Sequence, residues 1–147
     1  MRVLCIRHPG GGHAGVLGER AEAAGHQLDQ WTPATGEPAP APPDSYDALV
    51  VLGGGMNVHE AGRHPYLRSE VALLEEALAD GRPVLGVCLG AQLLAAAAGG
   101  QVHRARTPEI GWREVELSSA AGVGAVVVPH ASNDGTIQIA VHRILPL

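Results

Sequence analysis

The chain has 147 residues, 46% hydrophobic, 17% charged and 3% aromatic with no Phe, enough for one globular domain whose core is built from Val, Leu and Ala. Ten basic residues against 15 acidic give a formal charge of −5 with no Lys/Arg cluster, so nucleic-acid binding lacks its main electrostatic term. No apolar stretch approaches the roughly 20 residues that span a bilayer, no signal-peptide pattern opens the chain, and two cysteines are too few for a disulfide framework; a cytoplasmic protein with reduced thiols and no membrane association is expected.

Val3 to Ile6 reads as a first strand, followed by the loop His8-Pro9-Gly10-Gly11-Gly12. Ala14 to Ala24 carries apolar residues at helical spacing and stops at Gly25. His26 to Trp31 is a second strand candidate. Thr32 to Pro43 holds five of the 11 prolines and reads as a loop without regular structure. Tyr46 to Leu52 is a continuous apolar run entering Gly53-Gly54-Gly55, as a buried parallel strand does. Pro65 to Asp80 is the clearest helix, with Leu67, Val71, Leu74 and Leu78 on one face. Pro83 to Val87 is the next buried strand, leading into Cys88, and Leu89 to Ala98 the next helix. Further on, Gly122 to Pro129 and Thr136 to Val141 form two more strand candidates around the turn signal Asn133-Asp134-Gly135. Alternating strands and helices predict an α/β fold: three layers, a mostly parallel sheet with helices on both faces, flavodoxin-like. The glycine loops at 10–12, 53–55 and 86–90 then gather at the carboxyl ends of the strands, where such sheets place their chemistry.

The pattern strand, Gly86-x-Cys88-x-Gly90, helix is a nucleophile elbow. The turn is crowded, so small residues flank it, and its side chain points into the cleft. The following helix aims free N–H groups and its positive end at the sulfur, which favours thiolate over thiol. The Leu89 N–H faces any oxyanion formed by attack on a carbonyl carbon, and the Gly53–Gly55 loop supplies a second donor. Gln92, one turn into the helix, offers its amide to a polar substrate. Cys5 lies inside the first strand and reads as core. The histidines show no metal-ligand spacing, and neither a metal nor a cofactor is expected. His8 and His13, in a glycine loop, are assigned no role.

These residues resemble the class I glutamine amidotransferases of the GMP synthase-like kind. The likeness is carried by Gly53-Gly54-Gly55-Met56-Asn57-Val58, by Pro83-Val84-Leu85-Gly86-Val87-Cys88-Leu89-Gly90-Ala91-Gln92-Leu93-Leu94 and by Pro108-Glu109-Ile110-Gly111-Trp112. It covers residues 1–117 of a single domain spanning 1–147, and leaves 118–147 as a divergent tail. The resemblance implies that the Cys88 thiolate attacks the side-chain amide of glutamine, that ammonia leaves, and that water hydrolyses the glutamyl thioester. It implies Gly54 and Leu89 as backbone oxyanion donors, Gly53, Gly55 and Gln92 as substrate-binding residues, glutamine as the small-molecule substrate, and a synthetase domain or subunit as ammonia acceptor. The family usually has Pro where Gly55 stands. Its general base is a His in a C-terminal His-Pro-Glu motif, absent from this sequence. His142 follows an apolar run and is the replacement candidate, ahead of His130, but Arg143 and Ile144 stand where Pro and Glu belong. The fold is therefore expected to be C-terminally shortened, its tail frameshifted or otherwise replaced, and the enzyme impaired. The alternative is a catalytically inactive binding or scaffold protein of the same fold; a third reading is thiol peptidase or redox chemistry on the same elbow. A shortened sheet with an unpaired edge points to a homodimer.

Overall fold

Runs such as Val3-Leu4-Cys5-Ile6 and Ala48-Leu49-Val50-Val51 are apolar on both sides of the pleat, so a sheet made from them needs cover on both faces. The computed structural model describes residues 1–103, 125–128 and 139–142, the last two spans as backbone strands. In chain order the elements are β1 (Arg2–Ile6), α1 (Gly15–Ala23), β2 (Gln27–Trp31), β3 (Ala48–Val51), α2 (Tyr66–Ala79), β4 (Val84–Val87), α3 (Leu89–Ala97), β5 (Ala125–Val128) and β6 (Ile139–His142). The sheet order is β2-β1-β3-β4-β6-β5. The first four strands in that order run parallel; β6 runs antiparallel to β4, and β5 antiparallel to β6. The expected mostly parallel α/β sheet is what forms, with an antiparallel pair added at one side.

Alternation along the strands sorts the core into two layers. Leu4, Ile6, Leu49, Val51 and Val84 face α2 and α3, packing with Leu67, Leu73, Leu74, Ala77, Leu89, Leu93 and Leu94. Val3, Cys5, Ala48, Val50 and Leu52 face the other way, joined by Ala14, Leu28 and Leu85. Leu67, Leu74 and Leu93 are 0% exposed, and full burial of such a side chain contributes roughly 1.5–3 kcal/mol. The α2 stripe is rotated from the expected one: Leu67, Glu70, Leu73, Leu74 and Ala77 are buried, while Val71 and Leu78 only flank the core. Helix α1 is a thinner cover, with Gly18 against Leu28 and with Val16 and Leu17 exposed.

The proline-rich segment is more ordered than its composition predicts. Single 3₁₀ turns form at Pro33–Thr35 and Pro43–Ser45, where proline's fixed φ suits the first helical position. Thr35 and Ser45 donate their hydroxyls to the carbonyls of Thr32 and Pro42. Below, at the amino ends of the strands, Arg2 donates to Asp29 at 2.6 Å and Tyr46 Oη donates to the same carboxylate at 3.1 Å. The Arg2 guanidinium lies 5.0 Å from the Tyr46 ring centroid.

Candidate active site

Cys88 joins β4 to α3 with φ 56° and ψ −113°, and no other non-glycine residue among those described has a positive φ. Such a conformation stores about 1–3 kcal/mol and persists only where the surroundings enforce it. Gly86 and Gly90 are what allow it. A Cβ at Gly86 would come 2.5 Å from the Gly90 carbonyl oxygen, and a Cβ at Gly90 would overlap the Val51 carbonyl. Helix α3 therefore lies close on the sheet and starts at once, its first turn closed by the Gln92 N–H donating to the Cys88 carbonyl at 3.1 Å. Cys88 is left half-buried at the amino end of α3, where the Leu89 N–H belongs to the first turn of amides that have no acceptor within the helix. Cys5 is the opposite case: it is fully buried, and burial pushes its thiol up to about 11, offset in part by Arg7.

Register brings three loops into one row. Ile6 pairs with Val51 and Val51 with Gly86; two residues further along each strand come His8, Gly53 and Cys88. The glycine loop after β3 is thus wedged between the exits of β1 and β4. A Cβ at Gly53 would sit 3.2 Å from Cys88 Cβ and 3.7 Å from its Sγ, so a side chain there would crowd the thiol and glycine leaves that side of it open. On the other side, a Cβ at Gly54 would meet His8 Cβ at 2.6 Å and Leu89 Cδ2 at 3.1 Å. Gly54 and Leu89, the two expected oxyanion donors, are therefore neighbours. A side chain at Gly55 would meet nothing within 4 Å.

Gln92 is 2% exposed, and its Oε1 accepts the Val58 N–H at 3.2 Å. It ties α3 to the turn that continues the glycine loop. That turn closes on itself through Asn57 and Glu60, whose side chain accepts the Asn57 N–H at 2.8 Å.

A buried pair of residues with no expected role lies behind the glycine loop. The side chains of His8 and Glu70 are both 0% exposed, with Nε2 and Oε2 hydrogen-bonded at 2.8 Å. His8 Nδ1, Glu70 Oε1 and the Tyr66 hydroxyl are buried without a partner among the described residues. Burial and the Glu70 carboxylate push the Tyr66 phenol up. Two signals were available: Glu70 occupies a core-facing position of α2, and His8 continues the alternation of Leu4 and Ile6 towards the α2 face.

His142 stands on β6, its backbone opposite Val84. Cys88 is four residues further along β4, on the order of 13 Å at strand rise. His130 and the Glu109-Ile110-Gly111-Trp112 motif lie outside the described residues; His13 is exposed. Among the described residues no group of three or more His, Cys, Asp or Glu is placed to hold a metal ion, and no helix is long and apolar enough to cross a membrane.

Comparison with known proteins gives a consistent result. Residues 19–143 match the family model "Glutamine amidotransferase class-I". The glutamine amidotransferase-like protein YfeJ of Salmonella typhimurium is 31% identical over 140 residues, covering 93% of this chain and 58% of that protein. The glutamine-hydrolyzing GMP synthase of Aeropyrum pernix is 37% identical over 108 residues, 74% of this chain and 20% of the synthase. The crystal structure of a glutamine amidotransferase from Thermotoga maritima superposes with a TM-score of 0.73 at 35% identity, covering 82% of this chain and 53% of the other. The chain thus spans little more than half the length of these relatives, or less.

Proposed function

The chain belongs to the class I glutamine amidotransferase family, and from that premise we propose that Cys88 is the nucleophile of a glutamine-amide reaction. The observation that carries this reading is the elbow itself: a strained cysteine at the amino end of α3, facing a glycine at position 53 whose side chain would otherwise crowd it. The sulfur attacks the side-chain amide carbon of glutamine. The resulting oxyanion is held by the Leu89 and Gly54 N–H groups. The C–N bond breaks, and the proton first held by the thiol leaves with ammonia. Water then opens the glutamyl thioester to glutamate and restores the thiol, so that the net change is glutamine plus water to glutamate plus ammonia. Gly53 and Gly55 line the approach of the substrate, and Gln92 shapes it by holding the Val58 turn. Glutamine as substrate, and a synthetase domain or subunit as acceptor of the ammonia, are drawn from the activities named for the relatives and belong to this proposal. The measurement is ammonia release from glutamine by the purified chain. Turnover that vanishes in Cys88→Ala is expected, and turnover that survives it overturns the reading.

A second reading is favoured by one observation, the β6 register that holds His142 opposite Val84. From that backbone register His142 serves Cys88 only if β6 shifts along β4. Without a base the same site binds glutamine and does not turn over. Cys88 alkylation by a glutamine analogue without any ammonia release is the outcome that selects this non-catalytic reading; loss of turnover in His142→Asn, with alkylation retained, excludes it.

A further inference from the structure

The His8–Glu70 pair is expensive where it stands. Both side chains are 0% exposed, each retains one polar atom without a partner among the described residues, and burying such groups is unfavourable before their mutual attraction is counted. Apolar residues of similar volume would fill the same space at least as stably. What the pair supplies and an apolar contact does not is a fixed direction. Glu70 reaches from α2 and orients the imidazole through one bond. His8 Cβ lies 2.6 Å from where a Gly54 Cβ would be, and the His8 carbonyl accepts the Gly11 N–H at 3.0 Å in a turn that packs on the Gly53 carbonyl. The loop opposite Cys88 is thus gripped from behind.

We propose that the buried His8–Glu70 pair is a positioning device that sets the Gly53–Gly54 backbone against Cys88, so that amide-type ligands react there only while the pair is intact. This inference rests on the glutamine reading above. His8 is not itself the base. It exits β1, two strands away from β4, roughly 10 Å across the sheet, its Nε2 is committed to Glu70, and the glycine loop lies between it and the sulfur.

The test compares two alkylations of Cys88, followed by intact mass. Iodoacetamide reports the thiol and its access alone. The diazoketone analogue of glutamine reacts only when its carbonyl is seated in the loop. Glu70→Met keeps the volume and removes the bond; Glu70→Gln keeps an amide that can hydrogen-bond to Nε2. Expected is a loss of about tenfold or more in the diazoketone rate for Glu70→Met, an iodoacetamide rate within about twofold of wild type, and a diazoketone rate for Glu70→Gln within about threefold. Should Glu70→Met fail to fold, the double variant His8→Leu/Glu70→Met removes both partners without stranding either and carries the same expectation. Equal diazoketone rates in Glu70→Met and wild type overturn the proposal, as does an equal slowing by both reagents, which is a general disturbance of the elbow. A wild-type chain that takes iodoacetamide and never the diazoketone overturns the glutamine reading, and this inference with it; that failure shows in the unmutated protein and is distinct from the other two.

Discussion

The two cysteines differ in burial and in backbone setting. Cys5 lies in the middle of β1 between two packed layers, and its thiol is pushed up to about 11. Cys88 is half-buried at the amino end of α3. In the native state iodoacetamide is therefore expected to modify Cys88 alone, with Cys5 reacting only after denaturant is added. The raised Cys5 thiol also links stability to alkaline pH. Unfolded chains release this proton near 9.0 and the folded chain near 11, so between those values the unfolded state binds fewer protons and stability falls as pH rises. The loss reaches about 2–3 kcal/mol by pH 11. Urea midpoints of wild type and Cys5→Ala, measured at pH 8 and pH 10.5, check it: the wild-type midpoint falls further than that of the variant. Parallel shifts in the two proteins would refute the linkage.

Among elements, the tight contact is α3 on β3 and β4, made where Gly86 meets Gly90 and Gly90 meets the Val51 carbonyl. Gly90→Ala pushes the helix off the strand, because the obstacle is backbone and cannot rotate away. A loss of about 1–3 kcal/mol is expected from overpacking of this kind, read as a lower urea midpoint, together with slower alkylation of Cys88 by the glutamine diazoketone as Leu89 moves from Gly54. An unchanged midpoint would show that the helix accommodates a methyl group. This elbow was legible in the sequence because its determinants are local: an apolar strand, two glycines in register with one cysteine, and a helix behind. The order of strands and helices was legible for the same reason, each strand of the parallel set except β2 running into a glycine loop. The His8–Glu70 pair was not, since its partners stand 62 residues apart and meet only once α2 packs on the sheet. Glu70 lies on the buried stripe of α2, which is centred on Leu67, Glu70, Leu74 and Ala77 rather than on Val71 and Leu78. Gln92 was singled out by spacing, but its hold on Val58 depends on how the glycine loop turns back over α3.

On the scale of the molecule the sheet has two ends with different tasks. The carboxyl ends of β1, β3 and β4 carry the strained and close-packed groups, and the amino ends carry the polar network that ties β1 to β2 and to the start of β3. There Asp29 accepts from Gln27, Arg2 and Tyr46, while the Arg2 N–H donates to Asp47 at 2.6 Å. The Gln27 amide first, and Arg2 and Tyr46 after it, hold the Asp29 carboxyl below its ordinary 3.8. The sign follows from that direction. A carboxyl lowered by folding contributes its stability above its unfolded value, and the contribution is lost as pH falls through the folded one. Asp29→Asn is thus expected to lower stability at pH 7 by about 1 kcal/mol, a partly exposed network being screened by solvent. The difference from wild type closes as the pH is taken below about 4. Ammonia release, or diazoketone alkylation of Cys88, stays within about twofold at pH 7, since the network lies at the end of the strands away from the elbow. Urea midpoints at pH 7 and pH 3, with the alkylation rate at pH 7, separate the two ends. A gap of equal size at both pH values would show that the carboxylate's charge is not what holds the strands. A large fall in alkylation would show that the amino ends of the sheet govern the site above them.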